Sequence, residues 1–290
     1  MDEYPEDLRL QVESYLAQMR FSDRPETAGI DEAMRYSLLA GGKRIRPVLC
    51  LATARALDLD PASLLPTAAA LELIHTYSLI HDDLPAMDDD DLRRGRPTSH
   101  KAFGEDVAIL AGDALFAEAM RLLCEGQDGE PDRVIAAVRE VAGATGVDGM
   151  VGGQYVDVKG IAGRDAESLR LLHSLKTGRL ISASVCSALV MAGGEREREE
   201  PYRRFAAELG ILFQIVDDIL DVTGTDDVLG KPQGSDERHG KLTYVSLFGL
   251  DRARELAVES HADAVAALDD ATGDVRALRQ ISDFIFTRQS

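Results

Sequence analysis

The chain has little positive charge, few cysteines and no apolar run long enough to cross a membrane. Its 290 residues carry 32 Lys and Arg against 51 Asp and Glu, a formal charge of -19. Nucleic acids and anionic membranes are bound by basic surfaces, so the sequence predicts neither as a partner. A membrane helix needs about 20 consecutive apolar residues. We therefore expect no integral membrane association, and the acidic N-terminus lacks the apolar core of a signal peptide.

The three cysteines, Cys50, Cys124 and Cys186, lie far apart in apolar surroundings and show no metal-ligand spacing. They predict reduced, buried thiols in a cytoplasmic protein. Strand-like alternation is scarce, whereas apolar residues recur every three or four positions. No linker rich in Pro, Gly or Ser divides the chain. The sequence therefore predicts an all-α fold, a single domain over residues 1–290 that forms one large helical bundle around a central cavity.

The periodicity and the Gly and Pro positions set the expected helix limits. Segments 64–84 and 166–191 are apolar on most faces and should lie at the centre of the bundle. A loop is expected over 224–240. The predicted helices cover 5–20, 30–40, 46–57, 64–84, 106–124, 131–146, 166–191, 201–222, 241–269 and 273–288.

An unusually dense acidic cluster follows the apolar helix 64–84. Six of the ten residues from Asp82 to Asp91 are aspartates, and Arg93 and Arg94 come directly after them. Carboxylates at this density repel one another and either take up protons or recruit cations. Oxygen ligands favour magnesium, and a metal beside arginines suggests a phosphate ligand between them. The cluster therefore predicts a magnesium diphosphate site.

A second acidic cluster ends another apolar helix, at Asp217, Asp218 and Asp221. Asp217 and Asp221 are four residues apart, so a helix places their carboxylates on one face. A solvated charged surface is the alternative, but the flanking residues are strongly apolar. If the two helices face each other, the clusters can hold one diphosphate through several magnesium ions.

Basic residues complete the predicted site. Lys43 and Arg46 lie between a Gly-Gly helix stop and the next helix, where they are able to bind a second phosphate group without metal. Ordinary surface charge is the alternative. Lys176 and Thr177 interrupt an otherwise apolar helix, where an unpaired ammonium would be costly. Lys231 and Lys241 are loop lysines that can close over the site.

These motifs together resemble the trans-isoprenyl diphosphate synthase family, and the bacterial farnesyl diphosphate synthases most closely. The resemblance covers nearly the whole chain, including the four residues between Asp83 and Asp88. The quoted motifs are Gly41 to Pro47, Asp82 to Gly95, Gly152-Gly-Gln154, Lys176-Thr-Gly178, Phe213 to Asp221 and Leu229-Gly-Lys231.

The resemblance implies head-to-tail prenyl transfer from an allylic diphosphate to isopentenyl diphosphate. It implies three magnesium ions, held by Asp82, Asp83, Asp88, Asp217, Asp218 and Asp221. Lys176, Thr177 and Gln214 would line the allylic cation, and Arg93, Lys231 and Lys241 would bind its diphosphate. Isopentenyl diphosphate would be bound by Lys43, Arg46, His75 and Arg94. For His75, a satisfied core histidine is the alternative.

Product length is expected to depend on the fifth and fourth residues before the first aspartate, Tyr77 and Ser78, which limit the tail in this family. A ring at Tyr77, about 7 to 8 Å below Asp82 along the helix, should stop growth at fifteen carbons. Simple core packing of Tyr77 is the alternative. The resemblance thus implies farnesyl diphosphate, with geranylgeranyl diphosphate as the second possibility.

Two other classes remain as alternatives. A terpene cyclase would need no second diphosphate site and typically has Asn, Ser and Glu in its second metal motif. A non-catalytic partner subunit usually loses one aspartate motif. Both aspartate motifs and the basic residues argue against these classes, and the resemblance implies a homodimer formed through helix 106–124 and its neighbours.

Overall fold

The computed structural model describes residues 4–161, 163, 165–224 and 241–288, and its architecture is all-α, as predicted. Fourteen α-helices are present in these ranges. A two-residue antiparallel pair, β1 (Leu92–Arg93) with β2 (Arg96–Pro97), forms their strand content. The helices are α1 (Glu6–Gln18), α2 (Ala28–Leu38), α3 (Ile45–Ala56), α4 (Leu65–Asp82), α5 (Ser99–Phe103), α6 (Glu105–Arg121), α7 (Pro131–Thr145), α8 (Met150–Lys159), α9 (Ala166–His173), α10 (Arg179–Ala192), α11 (Arg196–Thr223), α12 (Tyr244–Phe248), α13 (Leu250–Ala267) and α14 (Arg276–Thr287).

Most predicted helices are confirmed, and the differences have local causes. Helix α8 was not predicted, because the glycines at 149, 152 and 153 hide its apolar pattern. The predicted helix 241–269 is divided at Gly249, whose φ of 80° interrupts the helical backbone between α12 and α13. Helix α11 begins at Arg196 rather than at Pro201, so the proline lies inside the helix as its sixth residue.

The centre of the bundle is formed by α4, α10 and α11. Helix α10 packs against α3, α7 and α11, and its residues from Leu180 to Leu189 are almost all buried. By length and composition, the continuous helix Ala166–Ala192 would also suit a membrane span. Its most apolar stretch is 56% buried within the bundle, and helices of a protein core pass the same test of length and composition.

A π-helical turn, Ser174–Gly178, joins α9 to α10 and interrupts this central helix. Helix α8 and helix α11 both approach the turn closely. A β-carbon on Gly153 would lie 2.3 Å from the backbone nitrogen of Lys176, and one on Gly210 would lie 3.0 Å from the Cα of Gly178. Single π turns inside α-helices occur frequently at functional sites. The two glycines therefore permit a backbone arrangement that a larger side chain would disturb.

Replacing Gly153 with Ala should displace α8 from the π turn. We expect a cost of about 1–3 kcal/mol, the usual penalty of overpacking. Thermal unfolding measures the effect. Gly143→Ala on α7 is the matched control, because nothing lies within 4 Å of the added carbon. Equal stability of both variants would contradict this account of the contact.

Candidate active site

A cavity of about 580 Å³ lies where the C-terminal ends of α4 and α11 come together. Asp82 and Asp217 both line it, so the two acidic helix ends do face a common space, as the sequence suggested. The predicted site residues that line the cavity are Arg46, His75, Tyr77, Ser78, Asp82, Arg93, Arg94, Lys176, Thr177, Gln214 and Asp217.

Basic or amide side chains contact the three predicted metal ligands of the first cluster. The guanidinium of Arg93 donates from Nε to both oxygens of Asp83, at 2.8 and 3.0 Å. The ammonium of Lys241 lies 3.2 Å from Asp88 Oδ1. Asp82 instead accepts from the neutral amide of Gln154, Nε2 to Oδ1 at 2.7 Å. Asp83 and Asp88 are therefore in ion pairs, while Asp82 has a neutral hydrogen-bond donor.

The second cluster shows a similar division. Arg288, just beyond α14, donates to Asp217 Oδ1 at 3.1 Å. Asp218 is buried, and its two oxygens accept from Gln214 Nε2 at 2.8 Å and from the backbone nitrogen of Tyr244 at 2.7 Å. Asp221 is buried as well. The last turns of α11 thus carry one exposed carboxylate, Asp217, and two buried carboxylates, Asp218 and Asp221.

Burial shifts the titration of the first cluster. It raises the pKa of Asp82 to about 6, and the nearby charge of Lys176 only partly opposes this. Burial also raises the pKa of Asp83, in spite of its hydrogen bonds to Arg93. A carboxylate that is costly to ionise gains most from a bound cation. The all-oxygen ligand set fits a hard cation such as magnesium.

The basic end of the cavity is formed by Arg46, His75 and Arg94. Arg46 is 9% exposed, burial lowers its pKa to about 10, and its Nε has no hydrogen-bond partner among the described residues. Burial and the charge of Arg46 lower the pKa of His75 well below its usual value, so its imidazole is neutral at pH 7. Arg94 donates to the carbonyl of Gly41. A buried guanidinium with an unpartnered donor, as in Arg46, suits an anionic ligand.

Six predicted site residues within the described ranges do not line the cavity, namely Lys43, Asp83, Asp88, Asp218, Asp221 and Lys241. The ammonium of Lys43 lies 5.1 Å from the centre of the Phe284 ring. The backbone carbonyl of Lys43 accepts from the hydroxyl of Tyr4 at 2.7 Å. Lys231 lies outside the residues that the structure describes.

The π turn presents Lys176 and Thr177 to the cavity. Lys176 Nζ is 2.6 Å from Asp157 Oδ2, and Thr177 Oγ1 donates to Gln214 Oε1 at 3.1 Å. Since Gln214 in turn donates to Asp218, the π turn is linked to the second acidic cluster through side chains. The three residues Lys176, Thr177 and Gln214 therefore share one wall.

Tyr77 forms an aromatic wall on α4. It is 8% exposed and packs edge-on against His81 and Phe116, with ring centres 5.8 and 5.5 Å away. Ser78 lies next to it, and its hydroxyl donates to the carbonyl of His75. The ring is thus wedged between α4 and α6 while it still faces the cavity.

Three residues of the site, Gln154, Asp157 and Arg288, were assigned no role from the sequence. Gln154 and Asp157 are one turn apart on α8, a helix that was not predicted, although Gln154 was part of a quoted motif. Arg288 lies far along the chain from Asp217, and no sequence pattern joins them. A spacing of three on a helix would have paired Gln154 with Asp157, but only the fold brings them to Asp82 and Lys176.

The end of the first cluster forms a further group with a histidine. Asp89, Asp91 and His100 place one potential ligand atom each within 4.8 Å of one another. Asp91 already forms an ion pair with Lys101 at 2.7 Å. None of these three residues lines the cavity.

An all-helical bundle with two aspartate clusters at one cavity has the isoprenoid synthase fold, which solved isoprenyl diphosphate synthases share. The crystal structure of a geranyltransferase from Helicobacter pylori, complexed with magnesium and isoprenyl diphosphate, matches with a TM-score of 0.85 and 32% identity. The match covers 97% of this chain and 94% of that one. An FPP/GFPP synthase from Zymomonas mobilis matches with a TM-score of 0.85 and 35% identity, over 97% and 96% of the two chains.

Sequence comparison gives the same class. The polyprenyl synthetase family model matches residues 27–281, and the chain belongs to this family of prenyltransferases. Farnesyl diphosphate synthase from Geobacillus stearothermophilus is 43% identical, over 99% of this chain and 98% of its own length. A chloroplastic geranylgeranyl pyrophosphate synthase from Capsicum annuum is 49% identical over 83% of this chain, which spans 66% of that enzyme. The expected resemblance to bacterial farnesyl diphosphate synthases is confirmed.

Proposed function

We propose that this prenyltransferase condenses isopentenyl diphosphate with dimethylallyl or geranyl diphosphate to give farnesyl diphosphate and pyrophosphate. The observation that carries the proposal is one cavity with two kinds of anion site. Its acidic end, at Asp82 and Asp217, suits a metal-bound diphosphate, and its basic end, at Arg46 and Arg94, suits a diphosphate without metal. A terpene cyclase would need no such second site.

Magnesium fits the acidic end, where three ions would neutralise the allylic diphosphate and stabilise the departing pyrophosphate. All six aspartates of the two clusters are proposed ligands. Among them, Asp82 is best placed, because its partner is a neutral amide. Asp88 and Asp217 would hold metal in place of the cations of Lys241 and Arg288. Asp83 and Asp218 have both oxygens in hydrogen bonds and orient Arg93 and Gln214.

The remaining residues act on the organic groups. Arg93, Lys231 and Lys241 bind the allylic diphosphate, whose C–O bond breaks with the electron pair leaving on pyrophosphate. The carbonyl and hydroxyl dipoles of Lys176, Thr177 and Gln214 stabilise the allylic cation on the wall they share. Lys43, Arg46, His75 and Arg94 bind isopentenyl diphosphate, which orients its double bond toward the cation. The new C–C bond forms from that double bond, and pyrophosphate takes the final proton.

Tyr77 supports a fifteen-carbon product, because its ring lines the cavity five residues before Asp82 on α4 and packs against Phe116. Tyr77→Ala should shift the main product to twenty carbons or more, since the space of the ring becomes available to the tail. Product analysis by chromatography after dephosphorylation measures the shift. Tyr77→Phe is the matched control and should keep the fifteen-carbon product. If Tyr77→Ala still gives the fifteen-carbon product, the Tyr77 ring contributes to core packing and does not limit product length.

Geranylgeranyl diphosphate is the second candidate product. It is supported by the plant relatives, which are named geranylgeranyl pyrophosphate synthases. Incubation of the unaltered protein with isopentenyl and geranyl diphosphates and magnesium discriminates the two products by chain length. The same assay tests the reaction itself. If no elongated product forms, the synthase function is excluded and a cyclase or a non-catalytic subunit becomes the better interpretation.

We further propose one domain over the whole chain, a cytoplasmic location and a homodimer formed through α6 and its neighbours.

A further inference from the structure

Helix α8 contacts both halves of the proposed catalytic apparatus through one face. Gln154 and Asp157 are three residues apart, so their side chains lie on the same side of the helix. Gln154 donates to Asp82 of the first cluster at 2.7 Å, and Asp157 accepts from Lys176 of the π turn at 2.6 Å. Gly153 brings the helix backbone against the backbone of Lys176. The helix is therefore a bridge between an acidic group and a basic group.

The ammonium of Lys176 forms an ion pair with Asp157, and its charge also lowers the pKa of Asp82 against the effect of burial. The Asp157 side chain is 12% exposed and that of Lys176 is 25% exposed, so little solvent screens the pair. Asp82 lines the same cavity as Lys176. Without Asp157, the ammonium is able to turn toward Asp82. That pairing would neutralise a proposed magnesium ligand.

We propose that Asp157 is a positioning residue that holds the ammonium of Lys176 away from Asp82. Gln154 completes the arrangement, because its amide fixes the Asp82 carboxylate without cancelling its charge. Asp82 remains available to a cation and Lys176 stays on the wall that faces the substrate. The inference rests on the proposed function, in which Asp82 binds metal and Lys176 contacts the allylic group.

A double-mutant cycle between Asp157 and Lys176 tests the proposal. Asp157→Asn should weaken binding of pyrophosphate in the presence of magnesium about tenfold, a typical coupling for residues in contact. Isothermal titration calorimetry measures this affinity without turnover. In the Lys176→Gln background, the Asp157→Asn change should have little further effect, because no ammonium remains to turn toward Asp82. Asp157→Glu should restore most of the affinity.

Controls separate positioning from general damage. Asp148→Asn changes an exposed carboxylate just before α8 and should bind as the unaltered protein does. Thermal unfolding identifies any variant that fails to fold. If Asp157→Asn fails to fold, the pyrophosphate affinity of Asp157→Glu is compared with that of the unaltered protein instead. An equal loss of affinity from Asp157→Asn in both backgrounds, or no loss in either, would overturn the proposal.

Failure of the proposed function and failure of the positioning role of Asp157 give different experimental results. If the proposed function fails, the unaltered protein gives no elongated product from isopentenyl and geranyl diphosphates. If the positioning role alone fails, the unaltered protein elongates normally and the cycle shows no coupling. Steady-state kinetics adds a further check, since Asp157→Asn should raise the KM for geranyl diphosphate while the KM for isopentenyl diphosphate changes little.

Discussion

Asp82→Asn is expected to reduce elongation by about 10³-fold, because the change removes a charged ligand at the point where the leaving group gains negative charge. The amide keeps the size of the side chain and still contacts Gln154. Folding should therefore be preserved. Steady-state rates with geranyl and isopentenyl diphosphates at saturating magnesium measure the loss.

Asp113→Asn on α6 is the matched control, since its side chain is 65% exposed and lies outside the cavity. It should retain the activity of the unaltered protein. If excess magnesium fully restores the activity of Asp82→Asn, Asp82 contributes to metal affinity alone. Activity of Asp82→Asn equal to that of the control would remove Asp82 from the site.

Arg46→Met is expected to weaken the binding of isopentenyl diphosphate without lowering the stability of the protein. The KM for isopentenyl diphosphate should rise about 10²-fold, because charge-assisted hydrogen bonds to the diphosphate are lost. The melting temperature should stay the same or increase, since a buried guanidinium with an unpartnered Nε costs free energy that methionine does not. Initial-rate kinetics and calorimetric unfolding give the two results on one protein sample.

The KM for geranyl diphosphate should change little in Arg46→Met, which assigns Arg46 to the basic end alone. Arg254→Met, at an exposed arginine of α13, is the control for loss of one positive charge. A marked drop in melting temperature without a change in KM would identify Arg46 as a structural residue instead.

The fold and the two aspartate clusters were predictable from sequence for a clear physical reason. Apolar residues at helical spacing predict buried helices, and charged groups at the ends of such helices must meet a ligand or each other. This reasoning placed Asp82 and Asp217 at one site, and the cavity contains both.

The contacts that depend on distant parts of the chain could not be predicted. Arg288 meets Asp217 from the end of the last helix, and Lys241 meets Asp88 across the bundle. Helix α8 was missed because its glycines serve close packing against the π turn, which lowers every local helix signal. The position of Lys43 beside Phe284 likewise follows from the packing of α14.

Arg93, Lys241 and Arg288 give the two clusters internal counterions in a chain with an excess of acidic residues. We expect a protein built in this way to fold without divalent cations, unlike small domains whose structure forms only around a metal. The supply of folded molecules should then be independent of cellular magnesium. Treatment with a chelator would stop turnover and leave an intact reservoir of protein that regains activity as soon as magnesium returns.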